Sequence, residues 1–296
     1  MAVTAEAVKT LRERTGAGMM ECKKALVETN GDLDLAAEAM RKAGLAKADK
    51  KASRVAAEGV IAIERSADGK TAAVVEVNCE TDFVAREQDF VRFAGEVAKL
   101  TLANKPADLD ALNGIKTSSG ATVDEVRRVL IAKIGENIGI RRFAVATAPA
   151  VVGTYLHGTR IGALVSMQAG DDAVAKDIAM HVAAINPPYL LATDVPPADV
   201  AKEKEIQLEQ TKADPKNASK PVEMLAKIIE GKIRKWLNDV TLLGQPFVKD
   251  DKQTVEAYLK KAGAEVVSFV RYEVGAGIEK TKEDYVAEVA KIARGG

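Results

Sequence analysis

The sequence predicts an α+β protein with a helical module at its N-terminus, and three observations carry that prediction. Up to about Gly44, apolar residues recur at helical spacing and are interrupted by Gly16, Gly18 and Gly31. Beyond Arg54, short β-branched runs alternate with helical stretches, as in a small antiparallel sheet covered by helices. The third observation is an internal repeat. Val74-Val75-Glu76-Val77-Asn78 aligns with Leu164-Val165-Ser166-Met167-Gln168, Asp82 with Asp172, Val84-Ala85-Arg86 with Val174-Ala175-Lys176 and Ala94 with Ala184, every pair ninety residues apart. Glu136, Arg142 and Phe143 match Glu265, Arg271 and Tyr272 at a larger offset, so the second copy carries roughly forty extra residues.

Size and charge narrow the function. With 296 residues the chain can fold as two or three domains around a sizeable core. Its 43 basic and 43 acidic residues cancel, so no global field points to a membrane or to direct nucleic-acid binding. Apolar runs fall short of the ~20 residues that cross a bilayer. Glu6, Arg12 and Glu13 interrupt any signal-like apolar stretch, which predicts a cytoplasmic protein. Cys22 and Cys79 stand far apart without a CxxC partner and read as reduced thiols.

In chain order, 1–54 forms a module and linker. Val8 and Leu11 mark a first helix ended at Thr15-Gly16-Ala17-Gly18. Met19, Cys22, Leu26 and Val27 stripe a second that stops at Asn30-Gly31, and Asp32 caps a third, with Leu35, Ala36, Ala39 and Met40 on one face before Gly44. With Ala25-Leu26 followed by Thr29-Asn30-Gly31-Asp32, this bundle resembles the ubiquitin-associated fold, whose members bind protein surfaces. Lys47–Arg54 reads as a solvated linker, helical or flexible. A first core subdomain, 55–148, follows as strand (Val60–Glu64), strand (Ala72–Val77), helix (Glu87–Leu100), helix (Val123–Ile134, opened by a Thr122 and Glu125 capping box) and strand (Ile140–Val145). The second copy, 149–275, holds the insert at about 198–240. There Ala198–Lys212 and Pro221–Leu237 predict an antiparallel coiled-coil hairpin, broken at Asp214-Pro215-Lys216-Asn217. In the last module, 276–296, the pattern of Thr281–Ala293 predicts an amphipathic helix striped by Tyr285, Val289 and Ile292, expected either to dock on a partner or to pack back on its own core.

Chemistry concentrates in Asn78-Cys79-Glu80-Thr81-Asp82-Phe83-Val84-Ala85-Arg86, a strand-to-helix turn. Thr81 or Asp82 is expected to cap the helix beyond it. Phe83 has two readings, a protruding recognition element or core packing with Phe90. Enzyme signatures are thin. No GxxxxGK loop occurs, and Gly275-Ala276-Gly277 lacks the helix and second strand of a dinucleotide fold. His157 and His181 are the only histidines, without metal-ligand spacing or a nucleophile elbow, so neither a cofactor nor a catalytic residue is assigned. His181 reads as structural, and His157, at a strand turn, as a candidate contact. Composition and spacing alone leave an interaction protein.

The motifs add more. Thr15 to Leu26 (TGAGMMECKKAL), Asn78 to Ala85 (NCETDFVA), His157 to Gly162 (HGTRIG), Gly244 to Val248 (GQPFV) and Val274 to Lys280 (VGAGIEK) resemble the bacterial elongation factor Ts family nearly end to end. The resemblance implies a helical docking module, a duplicated core, a coiled-coil insert and a guanine-nucleotide exchange factor for the GTPase elongation factor Tu. It implies that Asp82 and Phe83, held by Thr81 and Val84, displace the elements that retain magnesium in the GTPase. It further implies partner contacts from Met19, Met20, His157 and Val248 and from the last helix, within a heterodimer or a dimer of heterodimers. The second half has no cysteine, which argues against a disulfide-linked dimer through it.

Overall fold

A computed structural model describes residues 3–217 and 220–279. Its elements run α1 (Ala5–Thr15), α2 (Met19–Glu28), α3 (Leu33–Lys51), β1 (Glu58–Arg65), β2 (Thr71–Cys79), α4 (Gln88–Asn104), α5 (Leu109–Gly114), α6 (Val123–Ile134) and β3 (Gly139–Thr147). They continue β4 (Val151–His157), β5 (Ile161–Ala169), α7 (Asp172–Ile185), α8 (Pro197–Ala213), α9 (Val222–Val240), β6 (Pro246–Phe247), β7 (Asp250–Thr254), α10 (Val255–Lys261) and β8 (Glu265–Glu273). Among the described residues there are two three-stranded sheets, in the orders β1-β2-β3 and β4-β5-β8, and a β6-β7 ladder. Two compact units divide the chain, one made of residues up to 61, 75–143 and from 273 on, the other of 62–74 and 144–272.

In the first unit several helix boundaries have a local cause. Thr4 Oγ1 accepts the Ala7 N–H at 3.1 Å to start α1, and Gly16, at φ 66°, closes it by donating its N–H to Arg12 O at 2.8 Å. Asp32 Oδ1 accepts the Asp34 and Leu35 amides at 2.9 Å and opens α3. Val8, Leu11, Cys22, Ala25, Leu26 and Ala36 form the small core. Two expectations need correcting. Met19, Val27 and Leu35 lie outside this core and are exposed, because a ten-residue helix in a minimal bundle buries only a narrow stripe. Nor does α3 stop at Gly44. It runs on to Lys51, and a Cβ at Gly44 would stand 3.1 Å from the Ala132 Cβ of α6, so the glycine permits close packing there rather than ending the helix.

The run Ala72–Cys79 of β2 is almost wholly buried, matching its unbroken apolar character. Glu76 and Asn78 are the polar exceptions, and Glu76 is a fully buried carboxylate. It accepts from Arg142 Nε at 2.6 Å, Arg141 Nη1 at 3.1 Å and the Gly275 amide at 2.8 Å. Burial would raise its pKa, but the Gly275 amide and the two guanidiniums outweigh that and hold it below the ordinary carboxylate value. Gly275 has φ 73°, and a Cβ on it would collide with Ala57 O. Helix α4 buries Phe90, Phe93, Ala94 and Val97, and α6 opens with the expected capping box, Glu125 N–H to Thr122 Oγ1 at 3.2 Å and Thr122 N–H to Glu125 Oε2 at 2.9 Å. The six-residue α5 is too short to show a period.

In the second unit β4 and β5 form an antiparallel hairpin from Val151↔Met167 to His157↔Ile161. Its core gathers Val165, Met167, Ile178, Val182, Leu242 and Phe247. Gly153 lies so close under α7 that a Cβ would collide with Ala175 O. The expected insert helices correspond to α8 and α9, which pack on each other, with Lys232 Nζ donating to Thr211 Oγ1 at 2.9 Å. The β6-β7 ladder is a feature the sequence pattern did not reveal. No helix among the described residues is long and apolar enough to cross a membrane. The helix expected at Thr281–Ala293 lies outside the described residues.

Candidate functional site

Four of the eight candidate residues, Thr81 to Val84, form one turn at the end of β2. Val84–Arg86 makes a single 3-10 turn, and α4 begins only after Glu87. Here the capping expectation fails. Helix α4 is capped by Glu87, whose Oε2 accepts the Asp89 and Phe90 amides at 2.7 and 3.0 Å, rather than by Thr81 or Asp82. The reason is the extended backbone of Glu87, at φ −71° and ψ 135°, which breaks the helix after one turn and starts it afresh. Thr81 Oγ1 accepts instead from Val84 N–H, at 3.4 Å, within the short turn.

The turn's backbone is gripped from outside by Glu136, just beyond α6. The Glu80 and Thr81 amides both donate to Glu136 Oε2 at 3.0 Å, and Thr81 Oγ1 donates to Glu136 Oε1 at 2.6 Å. Successive amides converging on one carboxylate form an anion-binding nest. A reciprocal bond runs from the Asn137 amide to Glu80 Oε1 at 2.6 Å. Hydrogen bonds to a charged group stabilise by about 1.5–3 kcal/mol each. Three of them match the roughly 4–8 kcal/mol of conformational entropy lost in fixing four residues. Below the turn Val84 and Ala85 are buried, as is Cys79. Burial, and then the Glu136 and Glu58 carboxylates, push the Cys79 thiol up to about 12, so it stays neutral and donates to Thr81 O at 3.2 Å.

On this frame Phe83 is 82% exposed while Phe90 is fully buried. Core packing of Phe83 with Phe90 is therefore excluded. Leaving a Phe ring in water forgoes about 1.5–3 kcal/mol of burial, so the fold gains nothing from it there. Asp82 pairs with Arg86 at 2.8 Å, the two side chains 49% and 79% exposed, an interaction worth about 0–1 kcal/mol that a new partner can replace.

The other four candidates stand at three further places in the fold. Met19 and Met20 open α2, 59% and 74% exposed. His157 ends β4 at an exposed turn whose Gly158 has φ 58°, and its Nδ1 lies 3.4 Å from Tyr155 Oη. Val248, after β6, is 42% exposed, and its amide donates at 3.1 Å to Nδ1 of His181. That contact fixes the tautomer, because an amide can only donate: Nε2 of His181 carries the proton and gives it to Gln245 Oε1 at 2.9 Å. Burial lowers the His181 pKa, against a smaller opposing effect of Gln245, which accords with the structural reading of this residue. Among the described residues no group of three or more His, Cys, Asp or Glu side chains is placed to hold a metal ion.

Comparison with known proteins agrees with the motifs. The family model described as Elongation factor TS matches residues 80–276, more than half of the chain and from the Thr81–Val84 turn to the Gly275 turn. The chain belongs to the elongation factor Ts family. It is 56% identical over 293 residues to Elongation factor Ts of Xanthomonas campestris pv. campestris (strain B100), covering 99% of both chains. Elongation factor Ts of Xanthomonas axonopodis pv. citri (strain 306) is equally similar, at 56% over 293 residues and 99% of both. That of Hydrogenovibrio crunogenus is 53% identical over 293 residues, covering 99% of this chain and 98% of its own. Sequence reasoning missed Glu136, Asn137 and Glu87 as parts of the site. The repeat alignment had marked Glu136 only as the counterpart of Glu265, and nothing in the sequence joins it to a turn 55 residues earlier.

Proposed function

We propose that this member of the family is a guanine-nucleotide exchange factor for elongation factor Tu, without an active site of its own. The observation that carries the reading is Phe83, an exposed aromatic at the apex of a turn fixed by its neighbours. A preorganised aromatic anchor enters a partner pocket without the ordering cost that a loose loop would add. In the complex Phe83 is the apolar wedge, and Asp82 exchanges Arg86 for polar groups near the GTPase's magnesium. Magnesium bridges the phosphates, so disturbing its ligands removes much of the hold on GDP. Binding the nucleotide-free GTPase more tightly than the GDP-bound one is sufficient, since by linkage the factor then weakens GDP by the same ratio.

Met19 and Met20 dock the N-terminal module, and His157 and Val248 touch the partner away from the nucleotide. The boundaries 1–54, 55–148, 149–275 and 276–296, a core made of two copies of one unit, and a coiled-coil hairpin of α8 and α9 belong to the same reading. So do a cytoplasmic location and a heterodimer with the GTPase, or a dimer of such pairs. The test is the release of fluorescent GDP from elongation factor Tu, with the wild-type chain and with an Asp82→Ala, Phe83→Ala double variant. Acceleration by the wild type that the double variant loses is the expected result. Binding without acceleration would leave a scaffold instead.

A further inference from the structure

We propose that Glu136 is a positioning residue for nucleotide exchange. It touches neither nucleotide nor partner in this proposal, and acts by holding the turn that presents Phe83. The inference rests on the exchange reading above and names the residue on which its geometry depends. Glu136 is the only side chain that takes two consecutive backbone amides of the turn, those of Glu80 and Thr81, together with the Thr81 hydroxyl, among the hydrogen bonds described. The turn lies between the end of β2 and the break at Glu87, so neither a strand ladder nor a helix fixes these amides. Without the carboxylate two amides and a hydroxyl lose their acceptor, and the turn that carries Phe83 is left with its own bonds alone, such as Ala85 N–H to Thr81 O at 3.3 Å and Arg86 N–H to Phe83 O at 3.2 Å.

The grip is itself braced. Gly135, at φ 92°, closes α6 by donating to Ile131 O at 2.9 Å, and Lys51 Nζ donates to the Gly135 carbonyl. Asn137 Nδ2 donates to Arg54 O at 2.7 Å, and Ile138 is fully buried. Gly135–Ile138 is thus pinned at both ends, and Glu136 projects from a fixed base. The same segment holds the end of α3, which joins the N-terminal helices to the recognition turn through three residues.

The experiment compares the full chain with Glu136→Ala and Glu136→Gln in two measurements: hydrogen exchange at the Glu80 and Thr81 amides, and GDP release from elongation factor Tu across factor concentrations. In Glu136→Ala, protection of both amides falls and the maximal acceleration drops about tenfold to a hundredfold, the scale of losing charge-assisted bonds. The half-saturating concentration changes less, about threefold or under, because other contacts still dock the partner. Glu136→Gln keeps the volume, and its amide oxygen faces the two N–H groups while its NH₂ turns to Thr81 Oγ1. It recovers most of both readouts, and if Glu136→Ala fails to fold, a folded Glu136→Gln chain whose Glu80 and Thr81 amides stay protected while its maximal acceleration is lost overturns the proposal. A Glu136→Ala chain with wild-type maximal rate overturns the proposal. So does a loss no larger than its unfolded fraction, or a folded Glu136→Gln as inactive as the alanine variant. If the wild-type chain leaves GDP release unchanged, the exchange reading falls and takes this role with it, while hydrogen exchange still decides whether Glu136 holds the turn.

Discussion

Two strand-to-helix turns ninety residues apart, Thr81–Glu87 and Asp171–Asp177, show how similar local chemistry yields an exposed aromatic on a braced turn in one case and a plain helix start in the other. Each opens on a short oxygen-bearing side chain: Thr81 Oγ1 accepts from Val84 N–H at 3.4 Å, and Asp171 Oδ1 from Val174 N–H at 2.9 Å. Each then buries a Val-Ala pair, Val84-Ala85 or Val174-Ala175. Burying that pair forces the preceding position outward, so residues 83 and 173 are both exposed. In the second turn the exposed residue is Ala173 and the helix runs unbroken to Ile185. In the first it is Phe83, the helix breaks at Glu87, and Glu136 clamps the backbone. Exposure thus follows from the turn, and only the aromatic and its brace call for a functional reason.

The most damaging way to make the first turn like the second is Phe83→Ala. It should lower stimulated GDP release about thirtyfold to a hundredfold, as truncating a central aromatic anchor does. Stability in urea should stay within about 0.5 kcal/mol, because the ring touches little of its own fold. A large stability loss with exchange intact would mean that the ring is structural.

The caps separate the turns next. Thr81→Val removes both the donor to Glu136 and the acceptor for Val84 N–H, and should cost about 1–2 kcal/mol with a parallel drop in exchange. Asp171→Ala should cost about 1 kcal/mol and leave exchange alone. Urea titrations beside GDP-release assays check both, and equal exchange losses from the two variants would erase the distinction between the turns.

How much of this could be read in advance depended on how local the determinant was. The capping box at Thr122 and Glu125, the Gly16 stop and the buried run of β2 are written in a few adjacent residues, and the structure follows them. Gly44 misled because a glycine that ends a helix and one that admits a neighbouring helix look the same in one dimension. The break at Glu87 and the reach of Glu136 depend on a segment that only the fold brings to the turn. For the candidate site, the sequence singled out Phe83 and left open whether it protrudes, and its exposure beside a fully buried Phe90 decided the point.

The helices that follow the turns differ in their response to acid. Helix α7 carries the buried His181 where α4 has the exposed Val91. Burial lowers the folded-state pKa of His181 below its ordinary value of 6.5, so under that pH the unfolded chain binds more protons. The stabilising neutral form is intact above about pH 6.5 and is lost as pH falls toward the folded value, by at most ~1.4 kcal/mol per pH unit. Protonation also removes the acceptor for the Val248 amide. Urea midpoints of the wild type and His181→Gln at pH 7.5 and 5.5 should show the steeper fall in the wild type, and parallel falls would assign the acid sensitivity elsewhere.

The smallest effect expected is the most instructive, because it asks whether the aromatic alone makes a recognition turn. Ala173→Phe places a ring at the exposed position of the second turn, where the helix runs on unbroken and Asp171 supplies the cap. The position is open, so stability should change by less than about 0.5 kcal/mol. GDP release should also stay at the wild-type value, and introducing Ala173→Phe into the Phe83→Ala chain should restore nothing. An anchor contributes to exchange only where the surrounding surface matches the partner's pocket. Any recovery in the double variant would show that a protruding ring at either turn suffices, and would shift the explanation from the geometry of the Glu136-clamped turn to hydrophobic contact alone.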